Sequence, residues 1–257
     1  MCRSLRRPIV AQTDLDRRGW LASAVLALGL CATGGAVAAE RAQFDAIGYS
    51  EDGRYFAFEQ FGIQDGSGFP YSEIAIIDLD TDRFAGGSPF RARIDTEMAA
   101  LGEARDAAHA AAQKALTELA IDRPAIPIAL RGDGEAAGDE GLALDYAIPI
   151  WGLDGTEGDY RLSLEIFKAP STQDCDWFEG DPMGYRLIRE IDGERAELHS
   201  DSRVPASRGC VITYKFYGVM LPFNAFDNGS AVAVLSYWSH GFEGPDRRFL
   251  ALPVGDR

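Results

Sequence analysis

Two short stretches concentrate the residue types that recognise ligands. Gln60 to Tyr71 carries Phe61, Gln64, Asp65, Phe69 and Tyr71, and Tyr237 to Arg247 carries Trp238, His240, Phe242, Glu243 and Asp246. Aromatic rings offer flat apolar faces, and amides and carboxylates direct hydrogen bonds, so such residues on loops between strands suit a binding surface. The expectation is a non-catalytic binding or scaffolding module; the alternative is a carboxylate-dependent hydrolase acting on an envelope polysaccharide, since two carboxylates flanking the scissile bond can hydrolyse a glycosidic linkage. No pair stands out by spacing, and Asp65 with Glu243 is the pair that these two loops supply. Other chemistries lack their parts. There is no Gly-x-Ser-x-Gly elbow, and Ser239 and His240, as neighbours on a strand, point to opposite faces. His109, His199 and His240 fall at unrelated spacings, which does not suggest a zinc or iron–sulfur site. Asp78, Asp80 and Asp82 alternate as in a calcium loop but lack its glycine and distal glutamate, so they read as a solvated hairpin turn. No metal, cofactor or catalytic residue is expected.

Both stretches belong to look-alike segments at opposite ends of the chain, Ile47 to Leu79 and Phe226 to Val254. Asp52-Gly53 in one answers Asn228-Gly229 in the other. Each pair tolerates positive φ and leads into alternating apolar residues, then a Gly-rich loop, then a second apolar run, which is the pattern of a β-hairpin. The expectation is that the two hairpins sit side by side and cover each other's edges.

Between them, the composition of Asp95 to Leu119, rich in Ala, Leu, Glu and Arg, predicts one long helix over about 95–119, capped by Asp95 or Thr96. Strands are expected at Ile126–Leu130, Leu142–Trp151, Tyr160–Phe167, Tyr185–Ile191, Ala196–Ser200 and Cys210–Met220, with Arg131 to Gly141 as an exposed acidic loop. The fold class is therefore mainly β, with propeller-blade-like or sandwich-like antiparallel sheets and one long inserted α-helix.

The first 39 residues read as a signal peptide. Arg3, Arg6, Arg7, Arg17 and Arg18 precede or flank an apolar run from Trp20 to Leu30, and Ala36-Val37-Ala38 or Val37-Ala38-Ala39 supplies the small-x-small pattern for cleavage near Ala38 or Ala39. The apolar run is too short for a good membrane span, so no stable membrane insertion is expected after cleavage. Asp16 to Leu21 resembles a twin-arginine export motif, while Leu30 before Cys31 argues against a lipoprotein. Residues 40–257 then form a single secreted, mainly-β domain, periplasmic or extracellular. Five of the 25 basic and two of the 40 acidic residues precede Ala39, which leaves the remainder at −18. That charge excludes nucleic acid as a default partner. A protein, peptide or glycan partner of the cell envelope is the expectation. Cys175 and Cys210 are the two cysteines after the leader, and in an exported chain an even pair predicts a disulfide.

Two resemblances follow from the residues. Tyr49-Ser50, Asp52-Gly53-Arg54, Tyr55 to Phe58 and Ile74 to Leu79 resemble the blade hairpin of TolB-like β-propellers, although only two such units are found, at opposite ends. Phe56 to Tyr71, together with the Ala-rich helix, the late cysteine and Trp238 to Asp246, resembles a family of predicted secreted bacterial proteins of unknown function. That resemblance implies export. It supplies no activity and no catalytic residues.

Overall fold

The computed structural model describes residues 39–133, 140–150, 155–177 and 179–256. The leader with its twin arginines and Cys31, the middle of the acidic loop, Trp151 and Phe178 lie outside the described residues.

The Asp52-Gly53 turn forms as its chemistry dictates. Gly53 has φ 69° and its N–H donates to Ser50 O at 2.9 Å, while Asp52 accepts the Arg54 N–H at 3.0 Å. It joins β1 (Gln43–Ser50) to β2 (Tyr55–Ile63), and β3 (Pro70–Asp78) returns antiparallel, pairing Tyr55 with Asp78 and Ile63 with Pro70. The short strands β4 (Arg83–Phe84) and β5 (Phe90–Arg93) pair with the free side of β3, and β6 (Ile121–Arg123) with β1. A second sheet runs in the order β14 (Pro245–Pro253), β13 (Val232–His240), β12 (Val211–Pro222), β7 (Ala125–Leu130). The third has the order β11 (Glu194–Ser200), β10 (Met183–Ile191), β9 (Thr156–Lys168), β8 (Ala143–Pro149). The three aspartates of the calcium-like spacing sit at the β3–β4 turn, where Arg54 pairs with Asp78 at 2.7 Å and Asp80 at 3.3 Å.

Strand alternation decides the layering, because successive side chains leave opposite faces. From the first sheet, Phe56, Phe58, Ala75 and Ile77 pack on Val232, Val234, Phe249 and Ala251 of the second. The intervening residues of those strands, Ala233, Leu235 and Leu252, face the third sheet and meet Leu162, Leu164, Tyr185 and Leu187. On the outer face of the first sheet lies α1 (Leu101–Glu118), whose buried residues Ala104, Ala108, Ala112 and Ala115 recur at helical spacing. Their small side chains let the helix close on Ile74 and Ile76. The result is a sandwich-like stack of a helix and three antiparallel sheets, with the second sheet covered on both faces.

Two expectations need correction. The end hairpins do not lie side by side in one sheet. They occupy different sheets and pack face to face, because both have apolar residues at alternate positions that must be buried. The helix starts at 101 and not at 95. Met98 has φ 67°, which a helix cannot absorb, and Asp95 ion-pairs with Arg93 at 2.5 Å. Ala100 is the N-cap, with its N–H donating to Glu103 Oε1 at 3.3 Å.

Candidate functional site

Face-to-face packing brings the tips of both hairpins to the same end of the molecule. The β2–β3 loop is closed by its own backbone: Gln64 N donates to Phe69 O at 2.9 Å and Gly68 N to Gln64 O at 3.0 Å, with Gly66 and Gly68 at φ 76° and 67°. The β13–β14 loop touches it. Glu243 N donates to Asp65 Oδ2 at 3.2 Å, and the Phe242 ring comes within 3.9 Å of where a side chain on Gly66 would begin.

Below these tips the two hairpins diverge around a cleft of about 1100 Å³. One wall comes from β2, β3 and β5 with Gln60, Tyr71, Glu73, Arg91 and Arg93. The other comes from β13, β14 and the 3-10 turn Ala206–Arg208 with Tyr237, Asp246, Arg248 and Arg208. Buried Gln60 spans the gap at the back, accepting the Phe249 N–H at 2.9 Å and donating to Glu73 at 3.0 Å. The Arg248 guanidinium lies 4.7 Å above the centre of the Tyr71 ring. Tyr71 has room there because its cross-strand partner is Gly62, where a Cβ would sit 2.9 Å from the phenol oxygen.

The cleft's guanidinium groups each have a carboxylate: Arg91 pairs with Glu73, Arg93 with Asp95, Arg248 with Glu40 and Arg208 with Asp201. Asp201 is buried, accepting Arg208 at 2.7 Å, His199 at 3.0 Å and the Tyr185 N–H at 3.2 Å. Burial opposes its charge, but those partners prevail and hold its carboxyl below the usual range. Asp246 behaves oppositely. Burial outweighs the Glu40 N–H and the Arg248 charge and keeps its carboxyl above the usual range. Burial likewise raises the Tyr71 phenol, and the Tyr237 phenol to about 12, so both stay protonated donors at neutral pH.

On the other face of the first hairpin lies a second charged group, beneath α1. Glu59 is 1% exposed and accepts Arg105 at 2.6 Å, Ser72 Oγ at 2.7 Å and His109 Nε2 at 3.2 Å. Arg105 also reaches Asp45 at 2.9 Å. Burial would raise the Glu59 carboxyl, yet these hydrogen bonds hold it low.

The residues singled out from the sequence divide among five places. Gln64, Tyr71 and Asp246 line the cleft, with Phe69 under Arg93 at its rim, 6.0 Å away. Asp65, Phe242 and Glu243 make the contact between loop tips. Phe61 lies on the helix face, with Arg105 stacked 3.9 Å from its centre. Trp238 lines a separate pocket of about 230 Å³ beside Lys215, and His240 packs edge-on against Trp177 at 4.8 Å. That last contact is held by the Cys175–Cys210 disulfide, whose Cα atoms are 5.7 Å apart, together with the hydrogen bond from His240 N to Cys210 O at 3.0 Å. Sequence reasoning missed Arg91, Arg93, Arg208 and Arg248. The alternation Arg91-x-Arg93 before the helix was the available signal.

Residues 57–255 match the family described as Predicted secreted protein (DUF2259), and the chain belongs to that family. It is accordingly an exported protein of unknown activity, and the match takes in the whole of the second end segment and the first from Ala57 onward, that is, β3 and all but the first two residues of β2. A comparison with curated proteins finds no match.

Proposed function

We propose that this exported protein is a non-catalytic binding module whose ligand lies in the cleft between the two end hairpins. The ligand class that suits the lining is an extended polar chain of the envelope, a glycan or a peptide. The observation that carries this reading is the 1100 Å³ cleft itself, walled by both hairpins, whose loop tips touch each other. Clefts of this size that mix aromatic faces with convergent polar groups are the usual form of small-ligand sites. The charge pattern supports a ligand of low net charge. Each arginine is already balanced by a carboxylate, so a strongly anionic ligand would have to displace one, whereas a hydroxyl or amide can share the existing groups. Tyr71 and Tyr237 supply phenol donors and flat rings for the same kind of partner.

The test is a titration of the mature protein with soluble envelope glycan fragments and, separately, with an envelope peptide pool, followed by backbone amide NMR. Shifts concentrated in residues 60–73, 90–95, 205–209 and 237–250 are expected. Arg93→Ala and Tyr71→Ala should weaken binding, while Trp238→Ala, outside the cleft, should leave it intact. Binding that tracks Trp238 and ignores Arg93 and Tyr71 would move the site elsewhere.

A further inference from the structure

The amino-terminal segment before β1 is held far more firmly than a loose leader junction requires. Glu40 is 7% exposed and Ala42 fully buried. Arg41 forms a parallel bridge with Arg247 of β14. Around it, Arg247 N donates to Glu40 O at 2.8 Å, Ala42 N donates to Arg247 O at 3.3 Å, and the Arg247 guanidinium donates to Ala42 O at 2.8 Å. The Glu40 side chain pairs with Arg248. The Glu40 backbone N donates to Asp246 Oδ1 at 3.1 Å. Every polar group of Glu40 is therefore engaged by three consecutive residues of β14.

The small residues Ala36-Val37-Ala38 allow cleavage after Ala38, and Val37-Ala38-Ala39 allow it after Ala39. We propose that leader removal cuts the Ala39–Glu40 bond, and that the freed Glu40 α-ammonium forms an ion pair with Asp246 that fastens the new amino terminus along β14 at the edge of the cleft. In that step an export peptidase directs water onto the Ala39 carbonyl. The C–N bond breaks, the carboxylate leaves with the leader, and the nitrogen of Glu40 becomes an ammonium. The atom that gains the charge is the one already donating to Asp246. Cleavage thus converts an amide hydrogen bond into a charge-assisted one with three donors in place of one. A cut after Ala38 would place the ammonium one residue, about 3.8 Å along the chain, away from the Glu40 nitrogen. The inference stands on this geometry and does not depend on what the cleft binds.

The test has two arms. The full chain is exported and the mature amino terminus is read by intact mass, with Glu40 expected first. A chain beginning at Ala39, at Arg41 or later, or one retaining its leader, overturns the proposal. In the second arm, chains made without added residues to begin at Glu40 or at Ala38 are each compared with and without Asp246→Asn. The substitution should lower the Tm of the Glu40-first chain by about 2–4 °C and that of the Ala38-first chain by clearly less. Equal losses in the two chains, or none in either, would show that no such ion pair forms.

Discussion

The two faces of the first hairpin carry similar residues to opposite ends. Toward α1, Glu59 is sealed from water and every neighbour points at it: Arg105, His109 and Ser72. Toward the cleft, Arg91 and Arg93 pair with carboxylates while facing open space. Enclosure makes the difference. An ion pair beneath a helix is costly to break, because removing one partner strands the other in a medium that cannot solvate it. An ion pair at an open wall is screened, worth little to stability, and free to exchange partners with a ligand. The same chemistry therefore serves as a fastener on one face and as a recognition surface on the other.

The comparison can be broken most forcefully at Glu59. Glu59→Ala leaves Arg105 and His109 against an apolar sheet and should cost about 3 kcal/mol, seen as a large fall in urea midpoint with the slope unchanged. Next in size, Gln60→Ala removes the acceptor of the buried Phe249 N–H, at about 1–2 kcal/mol, and should also loosen the back of the cleft in hydrogen exchange. The pH dependence sharpens the contrast. Glu59 is held below its unfolded value, so its contribution is present at neutral pH and lost as acid titrates it through the folded value. While the leader is attached and the Glu40 nitrogen is an uncharged amide, Asp246 is held above its unfolded value, so the stability of that uncleaved chain declines as pH rises from the ordinary carboxylate range through the raised one. Glu59→Gln should flatten the acid limb of a stability–pH profile, whereas Asp246→Asn in the uncleaved chain should remove a loss on raising the pH. Smallest of all, Arg93→Ala at the open wall should change stability by no more than about 0.5 kcal/mol, measured by the same unfolding curves, although it is expected to weaken ligand binding.

Much of the scaffold was legible because local chemistry and tertiary structure agreed. Asp52-Gly53 turns where its backbone preference says, and Val211 to Pro222 is an internal strand, as its aromatic and β-branched residues suggest. Cys175 and Cys210 pair as an exported chain predicts. Asn228 shows where such reading stops. It does sit at the turn, with its carbonyl accepting Ala231 N at 3.0 Å, yet its buried side chain accepts the Tyr146 hydroxyl at 2.9 Å across two sheets. Such a partner, 82 residues away, leaves no local trace. The cleft's arginines were hidden for the same reason. They come from β5, a 3-10 turn and β14, segments that only the stacking of sheets brings together. The helix start was misplaced because Asp95 and Thr96 look like caps, while the pairing of Arg93 with Asp95 and the positive φ of Met98 hold a non-helical turn for five more residues.

The most direct measurement is hydrogen exchange on the mature protein with and without soluble envelope glycan fragments or the envelope peptide pool, resolved to short peptides. Protection should appear together in the 64–71 and 241–248 segments and extend into 90–95, as a ligand seated between the hairpins requires. Protection confined to the Trp238–Lys215 side, or to the helix face around Glu59, would contradict a binding cleft between the two hairpins.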